Sequence, residues 1–232
     1  QQETASGKFY GIIKMEYIKG CDLHTWMKTY EEGSHVSFCR YVIKSVLLAY
    51  DYALKYNIFH RDIKLENIMI DLDGTVKLID WELASFCKYV ISKAGTADYM
   101  AEEVLSNESY NCQKSDVWSL AVTLFILYFG KRPYGSILPS LMDNEIPYYG
   151  EYLTLIYNNK WKKYWKFFNT MYSFEREYDT HLCNFIEKCL QRNPTIRPSI
   201  DSLLFHDFFI EPCMERSKVL QLMKHVEPEN LF

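Results

Sequence analysis

Glycine and proline are scarce in this sequence, at 9 and 7 of 232 residues, which excludes a collagen-like repeat and a low-complexity linker. Long apolar runs are absent as well, since the longest, residues 120–130, is about half of what a membrane-spanning helix needs. No long basic run offsets the balance of 26 Lys and Arg against 30 Asp and Glu, a net charge of −4. We therefore expect neither a nucleic-acid partner nor a membrane partner, and the oligomeric state stays open.

None of the seven cysteines belongs to a C-x-x-C pair, so neither a zinc ribbon nor a thioredoxin-like redox site has support. An odd number of cysteines in a chain too large to need disulfides predicts reduced thiols and an intracellular protein. The first residues lack the basic and then apolar segments of a signal peptide. We expect the cytoplasm as the compartment, with the nucleus as the alternative. Because Gln1 stands where an initiator methionine would, the chain is expected to be a fragment.

Aromatic residues are abundant, with 19 Tyr, 14 Phe and 5 Trp, and 48% of all residues are hydrophobic. This composition predicts a helix-rich globular body with bulky packing. A long amphipathic helix is expected from Ser37 to about Tyr56. Asp73-Gly74 between two β-branched runs predicts a hairpin over residues 67–80, and residues 9–18 have the composition of a strand. Further helices are expected at residues 116–129, 151–170, 180–191, 198–206 and 219–226.

The segment between the long helix and the hairpin reads His60-Arg61-Asp62-Ile63-Lys64-Leu65-Glu66-Asn67. This is the H-R-D-x-K-x-x-N pattern of a protein-kinase catalytic loop. Further segments that match the family follow in the family's order, at residues 78–82, 95–103, 115–120 and 193–198. The chain therefore resembles the catalytic domain of eukaryotic protein kinases of the serine/threonine type. The likeness begins at about residue 12 and ends at about residue 210.

The resemblance implies an α+β protein-kinase-like fold, represented by a mostly α-helical C-lobe with a small β-hairpin. The N-lobe is largely missing, because neither a G-x-G-x-x-G loop nor a Val-Ala-Ile-Lys-type lysine precedes the hinge. Residues 1–210 would form the kinase-like domain and residues 211–232 a C-terminal helical extension. Within the domain, the hinge would span residues 12–22, the catalytic loop 60–67 and the activation segment 80–103. Either the chain is truncated or partly recorded, or it is a natural C-lobe-only protein.

The implied function is transfer of the γ-phosphate of ATP to a serine or threonine hydroxyl in a protein substrate. Asp62 would be the catalytic base that accepts the hydroxyl proton, and Lys64 would reach the transferring phosphate. Asn67 would complete this catalytic set, and together with Asp80 it offers hard oxygen ligands for Mg²⁺. ATP and Mg²⁺ are therefore the expected cofactors. The alternative function is that of a catalytically impaired pseudokinase or a C-lobe interaction module.

The same resemblance assigns roles to further residues. Thr96 would touch Asp62 and Lys64 and shape the site of the substrate hydroxyl, and Arg61 would face a phosphate or an acidic group on the activation segment. The activation-segment candidates for that phosphate are Ser85, Tyr89 and Ser92. The nucleotide pocket would be lined by Met15, Glu16, Tyr17, Ile18, Asp22, Glu66, Met69 and Asp80. A buried ion pair and an acceptor for catalytic-loop N–H groups are expected from the scaffold residues Glu103, Arg197 and Asp116.

Glu82 is the clearest departure from the family pattern, because it replaces the glycine of Asp-Phe-Gly in the run Asp80-Trp81-Glu82. Glycine permits backbone angles that glutamate resists, and glutamate adds a carboxylate near the expected metal. Glu82 is either an extra Mg²⁺ ligand or a residue that locks the segment in one state. We expect Glu82→Gly to raise activity where the N-lobe is present.

Overall fold

The computed structural model describes residues 2–3, 9–10, 13–28, 34–134, 149–172 and 178–224. Several of the expected segments extend beyond these residues, among them the strand at 9–18, the last helix at 219–226 and the domain range 1–210. The first position of the hinge range 12–22 lies outside them, and so do positions 225–232 of the C-terminal extension.

The body is mostly helical, as the composition predicts, and it also carries small antiparallel sheets. In chain order, the strands are β1 (Gln2–Glu3), β2 (Phe9–Tyr10), β3 (Gly20–Asp22), β4 (Ile68–Asp71), β5 (Val76–Leu78), β6 (Tyr89–Val90) and β7 (Tyr110–Asn111). The helices are α1 (Leu23–Lys28), α2 (Val36–Leu54), α3 (Glu102–Leu105), α4 (Cys112–Phe129), α5 (Tyr149–Tyr157), α6 (Trp161–Tyr172), α7 (Thr180–Cys189), α8 (Ile200–Leu204) and α9 (Arg216–Met223). A 3₁₀ turn, Leu65–Asn67, precedes β4 directly.

The predicted hairpin forms, with β4 and β5 paired antiparallel around the Asp73-Gly74 turn. Strand β3 pairs with the other edge of β4 and places Asp22 opposite Met69. Local composition predicts a strand at residues 9–18 instead, and that prediction is wrong for residues 13–18, which are irregular. A strand needs a partner that comes from a distant part of the chain, and local composition does not identify that partner.

Helix α2 is the predicted long amphipathic helix. The His35 side chain caps it by accepting a hydrogen bond from the Ser37 backbone N–H at 3.2 Å, and Asn57 follows its end with a left-handed φ of 56°. One stripe of the helix is buried against the core and consists of Phe38, Cys39, Val42, Ile43, Val46, Leu47, Tyr50 and Ala53. The burial of this stripe fixes the point at which the catalytic loop leaves the helix.

Helix α4 lies inside the body, and most of its side chains are buried. Asn111 caps it by accepting a hydrogen bond from the Lys114 N–H, and Gly130 ends it with a φ of 66°. The helix starts before the predicted position, Asp116, because its cap lies at Asn111. Within the residues that the structure describes, no helix combines the length and the apolar character needed to cross a membrane.

The single helix predicted over residues 151–170 is wrong, because the structure divides this region into α5 and α6. Asn159 lies between the two helices with a φ of 54°, which interrupts a right-handed helix. In α6, Phe168 packs edge-on against Phe125 and Phe129 of α4, with ring centroids 5.2 and 5.1 Å apart. Phe168 of α6 therefore belongs to the core, in line with the bulky packing that the composition predicts.

Candidate active site

The catalytic loop, residues 60–67, is attached to α4 through one buried carboxylate. Asp116 accepts hydrogen bonds from the backbone N–H of His60 at 3.0 Å and of Arg61 at 2.8 Å. The Tyr50 hydroxyl of α2 donates to the same carboxylate. Burial raises the pKa of Asp116 to about 7, and these donors oppose the rise because they favour the charged form. The loop is thereby held at both α2 and α4.

Asp62 lies at the centre of a network of polar side chains. Its carboxylate accepts hydrogen bonds from Lys64 Nζ at 2.7 Å and from the Thr96 hydroxyl at 2.8 Å. Lys64 Nζ also donates to Thr96 Oγ1 at 2.8 Å, which closes a triangle of three side chains. The Asn67 amide donates to the Asp62 backbone carbonyl at 2.8 Å and approaches its carboxylate at 3.2 Å. The structure thus brings together four residues that the sequence assigns to the reaction.

Gly95 allows the activation segment, residues 80–103, to approach this network. Its φ of +117° is a conformation that other residues rarely adopt. A Cβ at this position would lie 2.6 Å from the Arg61 backbone oxygen. The close approach places the next residue, Thr96, within hydrogen-bond distance of Asp62.

His60 connects the catalytic loop to the end of the hairpin, a role that the sequence pattern does not reveal. Its Nδ1 accepts a hydrogen bond from the Asp62 N–H at 3.2 Å. The proton of the neutral ring therefore lies on Nε2, which donates to the Ile79 carbonyl at 2.9 Å. Burial lowers the pKa of His60 and favours this neutral form. The contact fixes the chain immediately before Asp80.

Asn67 and Asp80 form the candidate metal site. The Ile79 N–H donates a hydrogen bond to the Asn67 backbone carbonyl at 2.9 Å. Because Asp80 is the residue after Ile79, this bond keeps Asp80 close to Asn67. The side-chain amide nitrogen of Asn67 is hydrogen-bonded to Asp62, which leaves the Asn67 Oδ1 as the atom that can act as a metal ligand. Asp80 is exposed. Among the described residues, no group of three or more His, Cys, Asp or Glu could hold a metal ion by itself. Two hard oxygen donors nevertheless fit Mg²⁺, which is commonly completed by phosphate oxygens and water.

The residues expected around the nucleotide are only partly brought together. Asp22 and Met69 are neighbours across β3 and β4. Both oxygens of the Asp22 carboxylate already accept hydrogen bonds from Thr25, at 2.8 Å from its N–H and 2.7 Å from its hydroxyl, so Asp22 caps α1. Glu66 is exposed in the 3₁₀ turn.

The hinge side chains lie at the surface of the described chain. Met15 is 77% exposed and Tyr17 is 64% exposed, whereas Ile18 is half-buried. The Glu16 carboxylate pairs with Lys77 of β5. This ion pair adds to the backbone hydrogen bonds of β3 and of the Lys19 carbonyl, which accepts from the Leu72 N–H at 2.7 Å, in holding the segment against the hairpin.

Arg61 links the catalytic loop to the activation segment. Its guanidinium donates to the Ser92 carbonyl at 2.6 Å, to the Ser92 hydroxyl at 2.8 Å and to the Tyr110 hydroxyl at 3.1 Å. Ser85 lies elsewhere, in a bridge with Phe59. Of the three hydroxyl residues named from the sequence, Ser92 is the one whose side chain bonds to Arg61.

Glu103 and Arg197 form a buried ion pair. The Arg197 side chain is 0% exposed, and its Nη2 lies 2.9 Å from Glu103 Oε2. The same guanidinium donates to the backbone carbonyls of Lys114 at 2.8 Å and Gln191 at 2.7 Å. The pair therefore ties α3 to α4 and to the segment after α7.

The backbone conformation at Glu82 contradicts one reason for expecting Glu82→Gly to raise activity, namely that glutamate resists the backbone angles needed there. Among the described non-glycine residues, positive φ occurs at Asn57, Arg61, Asp80 and Asn159, and Glu82 is not in this set. Asp80 adopts the left-handed conformation instead, with a φ of 59°. Glu82 is exposed and needs no backbone angle that glutamate resists.

Some residues that support the site carry no signal in the local sequence. Tyr50 reaches Asp116 across 66 positions, and Tyr110 reaches Arg61 across 49. A tyrosine in an apolar stripe resembles any core residue until its hydroxyl partner is known. Such contacts require the tertiary structure.

Comparisons with known proteins agree with this fold. A family model described as protein kinase domain matches residues 3–209. Serine/threonine-protein kinase fray1 of Dictyostelium discoideum is 28% identical over 93% of this chain and 36% of its own length. Serine/threonine-protein kinase CHK1 of Saccharomyces cerevisiae is 30% identical over 88% of this chain and 37% of its own length. Putative sperm motility kinase W of Mus musculus is also 30% identical over 88% of this chain and 37% of its own length. The chain thus spans little more than a third of the length of these relatives.

Proposed function

Because the chain belongs to the protein kinase domain family, we propose that it transfers the γ-phosphate of ATP to a serine or threonine hydroxyl of a protein substrate. Asp62 is the catalytic base in this proposal, and Lys64 is the cation beside the transferring group. Mg²⁺ held by Asn67 and Asp80 would neutralise charge on the phosphates. We also propose that residues 1–210 form the kinase-like domain. We further propose a cytoplasmic location, and the seven free cysteines support that compartment.

The observation that carries the proposal is the triangle of Asp62, Lys64 and Thr96. The Thr96 hydroxyl donates to the Asp62 carboxylate and accepts from Lys64 Nζ. A substrate hydroxyl needs the same two neighbours: a carboxylate to accept its proton and a cation near the phosphoryl group that it attacks. A cleft of about 510 Å³ opens beside Thr96 and Glu66 and offers room for a peptide.

Labelled ATP and a peptide library with serine, threonine or tyrosine acceptors test this function. The complete protein is expected to label serine and threonine peptides, because Lys64 and Thr96 line the acceptor site. Chelation of divalent cations should abolish the labelling, since phosphoryl transfer requires them. Labelling confined to tyrosine would contradict the acceptor class. Nucleotide binding without any transfer would favour the pseudokinase alternative.

Two substitutions at Glu82 separate the roles of its charge and its backbone. We expect Glu82→Gly and Glu82→Ala, assayed in the complete protein, to raise turnover to a similar extent. At an ordinary φ the two residues differ mainly by about 0.5–1 kcal/mol of backbone freedom, which affects stability rather than chemistry. A gain confined to Glu82→Gly would show that strain is the cause after all. A loss that excess Mg²⁺ restores would show that the Glu82 carboxylate is a metal ligand.

A further inference from the structure

The hairpin of β4 and β5 sets the distance between the two candidate metal ligands. Asn67 immediately precedes β4, and Asp80 follows β5 after one intervening residue. A change in how β4 and β5 pair would therefore move one ligand relative to the other. Whatever holds the hairpin tip also bears on the geometry of the metal site.

Helix α9 contacts the hairpin tip through Arg216. The Arg216 Nε donates to the Asp73 carbonyl at 2.7 Å, and its Nη2 lies 3.0 Å from the Asp73 carboxylate. Nη2 also approaches the Thr75 hydroxyl at 3.3 Å. One guanidinium thus binds the backbone and side chains of the tip together, and its rigid planar fork suits these spread acceptors better than the compact ammonium of a lysine.

The helix also packs directly on the turn. Gly74 has a φ of +84°, and a Cβ there would lie 3.3 Å from Arg216 Cγ and 3.5 Å from Leu220 Cδ2. From the opposite element, the Tyr41 hydroxyl of α2 donates to the Gly74 carbonyl at 2.7 Å. The tip is therefore held between α2 and α9.

Helix α9 is itself anchored to the body. Its Val219 and Met223 side chains are buried. Just before the helix, the Met214 N–H donates to the Ser37 carbonyl at the start of α2, at 2.9 Å. The helix is thus a fixed support for the hairpin and not a loosely attached end.

The match to the family model ends at residue 209, whereas α9 begins at Arg216. We propose that this helix, which follows the family domain, positions the metal-binding hairpin, and that Arg216 is the positioning residue. Divalent-cation affinity at Asn67 and Asp80 then depends on a contact at the far end of the hairpin. This inference rests on the proposed function, since it takes those two residues as the metal ligands.

The test compares Arg216→Ala with Lys218→Ala, a matched control because Lys218 is an exposed residue of the same helix. We expect Arg216→Ala to speed amide hydrogen exchange in residues 68–79. We also expect it to weaken Mn²⁺ binding, measured by electron paramagnetic resonance, by about 3- to 10-fold. This is at or below the roughly 10- to 100-fold cost of losing a partner that contacts a ligand directly, because Arg216 acts from the far end of the hairpin. For both the exchange rate and the Mn²⁺ affinity, Arg216→Lys should lie between Arg216→Ala and wild type. Lys218→Ala should match wild type in both.

Both measurements proceed without turnover, so they are independent of the phosphoryl-transfer assay. A wild-type protein that binds Mn²⁺ but transfers no phosphate would count against the proposed function alone. Unchanged hairpin exchange in Arg216→Ala would overturn the positioning role. Faster exchange with unchanged Mn²⁺ affinity would overturn it too, because Arg216 would then be only a structural contact.

Discussion

Asp62→Asn in the complete protein is expected to lower turnover by about 10²–10⁴-fold, the usual contribution of a positioned general base. Asparagine keeps the size of the side chain, and its single carbonyl oxygen can still accept a hydrogen bond from one of the two donors, Lys64 or Thr96, which bond different oxygens of Asp62. It cannot take the proton of an attacking hydroxyl, so the loss should fall on kcat rather than on KM. Phosphate transfer to a serine peptide at saturating ATP measures the effect.

The matched control for Asp62→Asn is Asp51→Asn on α2. Asp51 forms a surface pair with Lys55 at 3.5 Å, away from the catalytic loop, and its loss should leave turnover unchanged. Thermal unfolding should show both variants folded, because neither change creates a cavity. Wild-type turnover in Asp62→Asn would refute the assignment of Asp62 as the base.

Arg197→Ala is expected to lower the free energy of unfolding by about 3–5 kcal/mol, the cost of removing one partner from a buried ion pair. The change leaves the Glu103 carboxylate without its cation. It also leaves the carbonyls of Lys114 and Gln191 without their donor. Urea unfolding monitored by circular dichroism measures the loss, provided that the m-value is unchanged.

A second ion pair between neighbouring segments supplies the control for Arg197→Ala. Arg192 pairs with Glu102 at 2.8 Å, but its side chain is 57% exposed. We expect Arg192→Ala to cost less than about 1 kcal/mol, because water screens and replaces an exposed pair. The loss of unfolding free energy in Arg197→Lys should lie between the losses in Arg197→Ala and Arg192→Ala. Arg197→Lys should also stay folded even where Arg197→Ala does not. Equal losses of unfolding free energy in Arg197→Ala and Arg192→Ala would contradict the explanation that burial makes the Arg197 pair the stronger one.

The hairpin and helix α2 could be predicted because their signals are local. Asp73-Gly74 favours a tight turn by the conformations of its own residues, and α2 repeats its apolar residues at helical spacing. The split between α5 and α6 was not predicted, because the helical apolar pattern resumes at Trp161 after the polar run Asn158-Asn159-Lys160. That run carries a local signal, since asparagine tolerates the left-handed conformation that Asn159 adopts. Strand β3 was missed for a related reason, because its partner β4 lies far along the chain.

The sequence by itself determined which chemical groups are present and in what order: the residues of the catalytic loop, Asp80, and the Thr96 that follows Gly95. Only the tertiary structure decided which of these groups meet. It placed Ser92, and not Ser85, at Arg61, and it brought Arg216 to the hairpin tip. The physical reason is that residue type and spacing govern local backbone preference. Contacts between distant residues depend on how buried elements such as α2 and α4 pack together.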